Sequence, residues 1–234
     1  MRPRTIAAAA AVLLLAAGIA AAPTADARAP PTPICGVCDL DRTTPDGTPV
    51  VAGESELTVT IRENGSTTWE AEVDLAAGSD ALAANGSLRR TVASEAARDG
   101  IAEPRDVDSR IDGDTLFVDY RDPNATERHL GVVVFTPLTP AAPSVPFAIG
   151  GEGVRYLGAD RVTVRGASGW EVRGDASAAD SDGRLVWTRE AGDEPDDRGR
   201  VFVDVDRDPV AVEGDALLAG PRAWIGRLLT GDTL

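Results

Sequence analysis

The chain of 234 residues contains no lysine and no glutamine, and it has only one histidine. All 23 of its cationic side chains are therefore arginines, and 38 aspartates and glutamates outnumber them to give a net charge of −15. Without lysine, and with His129 as the lone histidine, a serine hydrolase would have to build its proton transfer on that one residue. Aromatic residues make up only 4% of the chain, so a folded core must consist mainly of aliphatic side chains.

The charge balance indicates a protein that works in concentrated salt. A net charge of −15 on 24.3 kDa opposes compaction in dilute buffer. At molar salt the Debye length falls to about 3 Å, and that repulsion largely disappears. A GC-rich genome would also remove lysine and glutamine, but it would not by itself require an isoelectric point near 4.4. The same charge argues against nucleic acid and anionic lipid as partners, because both would be repelled.

Residues 1–27 have the pattern of a general secretory signal. Arg2 and Arg4 precede an unbroken Ala/Leu run from Ile6 to Ala22, and Ala25-Asp26-Ala27 is similar to an A-x-A cleavage site. The position of the run and its small-residue exit favour a cleaved signal over a retained N-terminal anchor. We therefore expect the protein to be extracellular or at the cell surface.

The remaining sequence predicts an α+β domain of mostly antiparallel strands, with one inserted helical segment and a C-terminal amphipathic helix. Residues 28–55 are rich in proline and aspartate and indicate a linker, so the extracellular domain is expected over residues 56–209. Alternating apolar residues on either side of Asn64-Gly65 predict a hairpin with a type I′ turn, which needs positive φ at both turn residues. Asp112-Gly113-Asp114 predicts a second hairpin.

An alanine-rich stretch, residues 79–99, predicts the inserted helical segment. Asn85-Gly86 interrupts the pattern, which indicates a short turn and then a longer helix from Ser87. Ser79 is the expected N-cap, and Gly100 is the expected cap at the other end. An apolar run at residues 131–135 predicts a central strand. Shorter strand patterns follow at residues 161–165, 170–173, 184–189 and 200–205.

Residues 210–234 form a tail with apolar residues at helical spacing, interrupted by Gly220-Pro221 and too short to span a bilayer. One interpretation is a helix that closes over the sheet. A second is an interfacial helix that docks on a surface protein or on a membrane, and an exposed Trp/Leu stripe would favour it. A third is an unstructured tail. The residues expected to make that contact are Leu217, Trp224, Ile225 and Leu228.

Cys35-Gly36-Val37-Cys38 contains the only two cysteines of the chain. Thiols oxidise outside the cell, so a structural disulfide is the favoured interpretation, within the motif or between molecules. A thioredoxin-like redox motif needs a strand before it and a helix after it, whereas prolines precede this motif and Asp39-Leu40-Asp41 follows it. A zinc site would need further ligands, and only His129 and carboxylates are available.

Clusters of carboxylates are candidates for cation binding. Asp204, Asp206 and Asp208 alternate, so on a strand they would share one face, and such oxygen ligands suit Ca²⁺. Pro209 stands where the twelve-residue calcium loop needs glycine, and Asp180-Ser181-Asp182-Gly183 is a second local cluster. In so acidic a chain, a solvated surface is the simpler interpretation.

Three N-x-[ST] sequences are candidate glycosylation sites. Asn64 and Asn85 coincide with predicted turns, and Asn124 lies in a predicted loop. Attachment of a glycan is sterically possible in all three places. Chance alone supplies roughly one or two such sequences in a chain of this size, so the pattern is a modest signal for a glycoprotein.

The sequence resembles a group of haloarchaeal exported proteins of unknown function. The segments that carry the resemblance lie within residues 33–165 and read PICGVCD from Pro33, LTVTIRENGSTTW from Leu57, DGDTLFVDYRDP from Asp112 and GADRVTV from Gly158. The resemblance implies an extracellular domain, which in these proteins usually precedes membrane helices near the C-terminus. This chain departs from the group there, because no membrane-spanning run follows Val205. The resemblance implies no catalytic residues.

No nucleophile, base and metal-ligand set is recognisable in the sequence, so we expect a binding or structural role without catalysis and without a cofactor. Two alternatives belong to other classes. The first is a Ca²⁺-dependent adhesion module that uses the Asp204, Asp206 and Asp208 face. The second is a carboxylate-dependent hydrolase of surface glycans, which would need two carboxylates about 5–10 Å apart in a cleft flanked by tryptophan.

Overall fold

A computed structural model of the chain describes residues 30–138, 154–175, 177–189, 200–203, 208–213 and 219–230. These residues form an α+β fold that consists mostly of antiparallel strands, which confirms the predicted fold class. In chain order the elements are β1 (Thr32–Pro33), β2 (Asp41–Thr43), β3 (Pro49–Ile61), β4 (Thr67–Ala77), α1 (Ser79–Ala84), α2 (Gly86–Asp99), β5 (Arg105–Asp112), β6 (Thr115–Asp122), β7 (Thr126–His129), β8 (Val132–Phe135), β9 (Arg155–Tyr156), β10 (Arg161–Gly166), β11 (Trp170–Arg173), β12 (Leu185–Thr188), β13 (Phe202–Val203), β14 (Val210–Glu213) and α3 (Ala219–Thr230).

The largest sheet has the strand order β12-β10-β3-β4-β6-β5, and β2 pairs with β3 beside this path. Its pairings are antiparallel except for β3 with β10, which run parallel. One face of this sheet is buried and the other is exposed. In strand β4, for example, successive side chains alternate between the core and solvent. Trp69 is fully buried on the inner face and stacks on Tyr120 with the ring centroids 5.7 Å apart. The carboxylates Glu70, Glu72 and Asp74 all lie on the outer face.

The other strands that the structure describes form two smaller sheets. One has the order β11-β14-β8-β7, so the apolar run at residues 131–135 forms an inner strand as predicted. Val132, Val134, Val210 and Val212 of this sheet form a separate apolar cluster with Ala223 of α3. The other small sheet has the order β1-β9-β13, and β1 runs parallel to β9.

Helix α2 packs against β5, at the edge of the largest sheet. Asn85 breaks the helical segment as predicted, and its Oδ1 accepts hydrogen bonds from the backbone N–H of Ser87 and Leu88, so it caps α2. Arg89 donates from Nε to the backbone carbonyl of Ser109 at 3.3 Å, which ties α2 to this edge strand. The expected N-cap at Ser79 is wrong: Gly78 occupies that position, and the Ser79 hydroxyl instead donates to Asp114 Oδ1.

The segment predicted as a linker is largely part of the fold, because β1, β2 and the first half of β3 all precede residue 56. Ile34, Cys35 and Val50 are fully buried in the main core. The linker was predicted from the prolines of this segment, which are typical of an extended chain. The prediction was wrong because β1 pairs with β9, which lies more than 100 residues later in the chain. Thr32 pairs there with Arg155.

The first hairpin lies where Asn64-Gly65 predicts it, but the turn type differs. Only Gly65 has a positive φ, of 84°, whereas a type I′ turn needs two such residues. Gly65 N–H donates to the carbonyl of Arg62, and Asn64 Oδ1 accepts from the backbone N–H of Ser66. The asparagine therefore closes a wider turn through its side chain. The second hairpin joins β5 and β6 at Gly113-Asp114, as predicted.

Candidate functional site

The C-terminal helix α3 turns its small residues toward the domain. Ala223 and Gly226 are buried where α3 packs on β7, β8 and β14. A Cβ atom placed on Gly226 would lie only 2.3 Å from Cβ of His129, so the backbone of α3 approaches β7 more closely than any side chain would allow. This approach fixes which face of α3 meets the sheet.

The large apolar side chains of α3 point away from the domain. They lie on successive turns of the helix, at i and i+4, and so make one continuous stripe. An amphipathic helix in a globular protein ordinarily buries such a stripe against the core. The four side chains and their exposed fractions are Trp224 62%, Ile225 41%, Leu228 54% and Leu229 74%.

The hairpin beneath α3 presents a further apolar side chain. Leu130 and Gly131 join β7 to β8 with φ angles of 47° and 77°, the positive values that a type I′ turn needs. A leucine is uncommon at positive φ, since asparagine or glycine usually occupies this position. Leu130 is 51% exposed, and a Cβ placed on Gly131 would lie 3.4 Å from the Arg222 side chain of α3. We call Leu130, Trp224, Ile225, Leu228 and Leu229 together the outer patch.

For this tail the structure shows features that were expected of two of the interpretations left open by the sequence. The helix packs on a sheet, and the Trp/Leu stripe is nevertheless exposed. Of the four residues predicted to make a contact, Trp224, Ile225 and Leu228 are brought together on the outer patch, and Leu217 lies outside the described residues. The sequence signal that would have fixed the orientation is the pair of small residues Ala223 and Gly226, which are three positions apart and so share one face of the helix. Trp224 and Leu228 each lie two positions from Gly226, on the opposite face.

No carboxylate lies on α3, although one residue in about six of the chain is acidic. The helix carries two arginines, Arg222 and Arg227, in its twelve residues. The local charge of α3 is therefore opposite to that of the whole molecule. None of the described helices is both long enough and apolar enough to cross a bilayer.

His129 lies under α3 and is buried. Its Nε2 lies 3.2 Å from Oε2 of Glu127, on the same strand. The ring also faces the backbone of Gly226, where a Cβ would lie 3.2 Å from Nδ1. The lone histidine thus serves as the packing surface for α3.

Cys35 and Cys38 have their Sγ atoms 1.99 Å apart, at the distance of a disulfide bond, and both are buried. The turn that holds them is enclosed by backbone from two other elements. A Cβ on Gly36 would lie 2.2 Å from the carbonyl oxygen of Ala96 in α2, and one on Gly158 would lie 2.7 Å from the carbonyl oxygen of Cys35. A redox-active pair needs an accessible first cysteine, so this enclosure supports a structural role.

An open acidic groove of about 650 Å³ lies on the outer face of the largest sheet. It forms where a β-bulge in β3 shifts the register against β4. Glu56 and Glu72 pair directly across these two strands, so like charges stand opposite each other. The residues that line the groove are Glu54, Ser55, Glu56, Glu72, Asp74, Asp160, Arg161, Thr188 and Arg189.

Ion pairs and hydrogen bonds partly occupy this groove. Asp160 Oδ2 accepts from the backbone N–H of Ser55 at 2.8 Å, and its Oδ1 lies 3.3 Å from Nε of Arg189. Arg161 lies 3.6 Å from Glu56. A glycan hydrolase would need tryptophan beside its carboxylates, and the groove lining contains none. Trp187, which directly precedes Thr188, is half-buried and packs against the main core, and Trp69 is fully buried.

The carboxylates predicted to bind calcium are Asp204, Asp206 and Asp208. Asp204 and Asp206 lie outside the described residues, and Asp208 precedes β14 as a half-buried residue. Within the described ranges, no three His, Cys, Asp or Glu side chains converge as a metal ion would require.

The carboxylates of the second predicted cluster, Asp180 and Asp182, form ion pairs with Arg184. Asp180 Oδ2 accepts from Nε of Arg184 at 2.7 Å, and Asp182 Oδ2 accepts from its Nη2 at 2.7 Å. Desolvation raises the pKa of Asp180, but hydrogen bonds from the backbone and side chain of Arg184 outweigh it and leave the pKa below its usual value. The cluster therefore stabilises the turn that leads into β12.

The three candidate glycosylation sites are exposed but differ in their contacts. Asn64 and Asn85 use only their Oδ1 atoms, in the turn and the helix cap described above. Asn124 donates from Nδ2 to Glu103 at 2.9 Å, so a glycan there would replace this hydrogen bond. The contacts of Asn64 and Asn85 leave the nitrogen that a glycan would occupy outside these hydrogen bonds.

No protein-family model, no curated protein and no solved structure matches this chain. Three features of the fold are candidates for a functional site: the outer patch, the cysteine turn and the acidic groove. Of these three, only the outer patch exposes groups that a folded domain would ordinarily bury.

Proposed function

We propose that this protein is an exported, salt-adapted domain that attaches to the cell surface through the outer patch and has a binding or structural role without catalysis. The orientation of α3 is the observation that carries the proposal. The helix buries Ala223 and Gly226 and exposes Trp224 and Leu228, so its apolar stripe is available to another surface. A contiguous exposed apolar surface of this kind is typical of an interaction site.

Export is supported by the signal pattern of residues 1–27 and by the pairing of Cys35 with Cys38 in a disulfide. Disulfides persist in oxidising surroundings outside the cytosol. Salt adaptation is supported by the placement of the carboxylates, since those of β4 all lie on the solvent-exposed face of the sheet. Such a surface keeps water and cations close to the protein.

Concentrated salt also decides which force can hold the protein in place. A charge-based attachment fades when the Debye length falls to about 3 Å. Apolar contacts are not screened, and excluded salts strengthen them. An apolar patch on a charged domain is therefore the kind of contact that operates in brine.

The test is the distribution of the secreted full chain between cell envelope and medium in a haloarchaeal host. The wild type should be recovered mainly with the envelope, whereas a Trp224→Ser, Leu228→Ser double variant should be recovered mainly in the medium. Val154→Ser is the matched control, because Val154 is also an exposed apolar residue but precedes β9 and does not belong to α3. Equal distributions for the wild type and the double variant would contradict the proposal.

A further inference from the structure

The geometry points to a lipid bilayer as the surface that the outer patch contacts, with α3 lying in the plane of the headgroups. This inference rests on the proposed function, which requires attachment through the outer patch but does not identify what is contacted. The shape of the patch, its size and its charge together indicate which surface it contacts.

The shape of the patch suits a planar, fluid surface. The exposed side chains of α3 form one stripe along a helix that lies on its own domain, so the stripe faces outward along its whole length. Helices that lie in a membrane interface have this arrangement, with leucine and tryptophan on the buried side and charged residues beside them. Tryptophan in particular favours the headgroup level of a bilayer.

The size of the patch argues against a second copy of the chain or another protein. Stable protein–protein interfaces take about 20–30 residues from each partner. Helix α3 has twelve residues, of which one face is exposed, and Leu130 is the one apolar addition from the adjoining hairpin. Insertion of a few apolar side chains into a bilayer needs no such area, because lipid adapts to their shape.

The charge of α3 fits an anionic headgroup. The helix contains Arg222 and Arg227 and no carboxylate. The whole-molecule charge argues against anionic lipid in dilute buffer, as the sequence predicts, but that repulsion acts over distances that molar salt screens. Only short-range charges then count, and the sequence of α3 supplies two arginines and no carboxylate. Binding should therefore strengthen as salt rises, which is opposite to the behaviour of a protein held by charge alone.

The experiment is flotation of the secreted chain with vesicles of equal parts phosphatidylglycerol and phosphatidylcholine. The NaCl concentration is varied up to about 3 M, within the range where circular dichroism shows the chain folded. The variants are Trp224→Ser with Leu228→Ser, Leu130→Ser alone, and the control Val154→Ser. All substituted side chains are exposed, so each variant is expected to fold, and melting curves check this.

The wild type should bind vesicles, and its bound fraction should increase with NaCl. Loss of two inserted apolar side chains should weaken partitioning at least about tenfold, while Val154→Ser should bind like the wild type. Leu130→Ser should give a smaller loss.

Three results would overturn the inference. The first is no vesicle binding by the wild type, and the second is equal binding by the double variant. The third is a wild-type dimer in brine that the double variant dissociates, since the patch would then be covered by a second copy. Envelope attachment that depends on Trp224 and Leu228 without vesicle binding would leave the proposed function in place and assign the patch to a protein or glycan partner.

Discussion

Gly226 of α3 lies directly against His129 of β7, so closely that a Cβ on the glycine would lie 2.3 Å from Cβ of the histidine. This contact determines the orientation of the whole helix. Since residue 226 faces the sheet, residues 224 and 228 on the same helix must face away from it. The exposure of the apolar stripe therefore follows from one small residue at the inner position.

We predict that Gly226→Ala destabilises the protein by about 1–3 kcal/mol, because the added methyl group meets His129 and forces α3 outward. Gly220→Ala is the matched control on the same helix, since a Cβ there has nothing within 4 Å. That control should change the free energy of unfolding by less than about 1 kcal/mol, because the better helix propensity of alanine is offset by the restriction that Pro221 places on the residue before it. Denaturant unfolding in concentrated NaCl measures both, and equal effects would show that α3 does not approach β7 closely.

The turn between the cysteines should tolerate no side chain at Gly36. A Cβ there would lie 2.2 Å from a backbone oxygen of α2, which cannot move aside without unwinding the helix. We expect Gly36→Ala to cost more than about 2 kcal/mol of unfolding free energy. Gly86→Ala, in the first turn of α2, meets only arginine side-chain ends at 3.6 Å or more and should be harmless. If Gly36→Ala left the free energy of unfolding unchanged, the cysteine turn could not lie against α2 as the structure shows.

The cross-strand pair Glu56 and Glu72 should make stability depend on salt. We predict that Glu72→Gln raises the free energy of unfolding by about 0.5 kcal/mol at low salt, because it removes a like-charge pair. The gain should vanish near 3 M NaCl, where such charges are screened. Glu213→Gln is the control, since Glu213 pairs across strands with Trp170. A gain that persists unchanged at high salt would exclude charge repulsion as its cause.

The Asp180–Arg184 interaction should add stability that acid removes. The pKa of Asp180 is lowered in the folded state, so its contribution is present at pH values above the unfolded pKa of about 3.9. It is lost as pH falls through the lower folded pKa. Asp180→Asn should therefore be less stable than the wild type at neutral pH, with a difference that shrinks below about pH 4. Urea unfolding across this pH range checks the sign, and a difference that grows in acid would contradict it.

The local features of the fold could be predicted from the sequence. Asn64-Gly65 and Asp112-Gly113-Asp114 mark hairpins because turn chemistry depends on neighbouring residues alone. Asn85 similarly marks the start of α2, since its side chain caps the helix that follows it. The alternation of apolar and polar residues along β4 likewise predicts its buried and exposed faces, since it depends only on neighbouring residues.

Features that depend on distant residues could not be predicted. The pairing of Thr32 with Arg155 brings a proline-rich segment into the fold, and nothing near Thr32 in the sequence signals it. The type I′ turn at Leu130-Gly131 has an exposed leucine where such turns usually have asparagine or glycine. Its sequence therefore resembles the start of the apolar strand that follows it. The apolar spacing of the tail predicts a stripe on α3, but only the packing of Gly226 shows which way that stripe faces.

Whether Trp224 is exposed in the free protein and covered at the cell envelope decides between attachment through α3 and any other mode of attachment. Iodide quenching of tryptophan fluorescence would be compared between the wild type and Trp224→Phe in concentrated NaCl, with and without cell envelopes from the host. We expect a quenchable component in the free wild type that the variant lacks, and we expect envelopes to shield it and to shift its emission to the blue. A Trp224 that is already shielded in the free protein, or that stays quenchable with envelopes present, would rule out attachment through the outer patch.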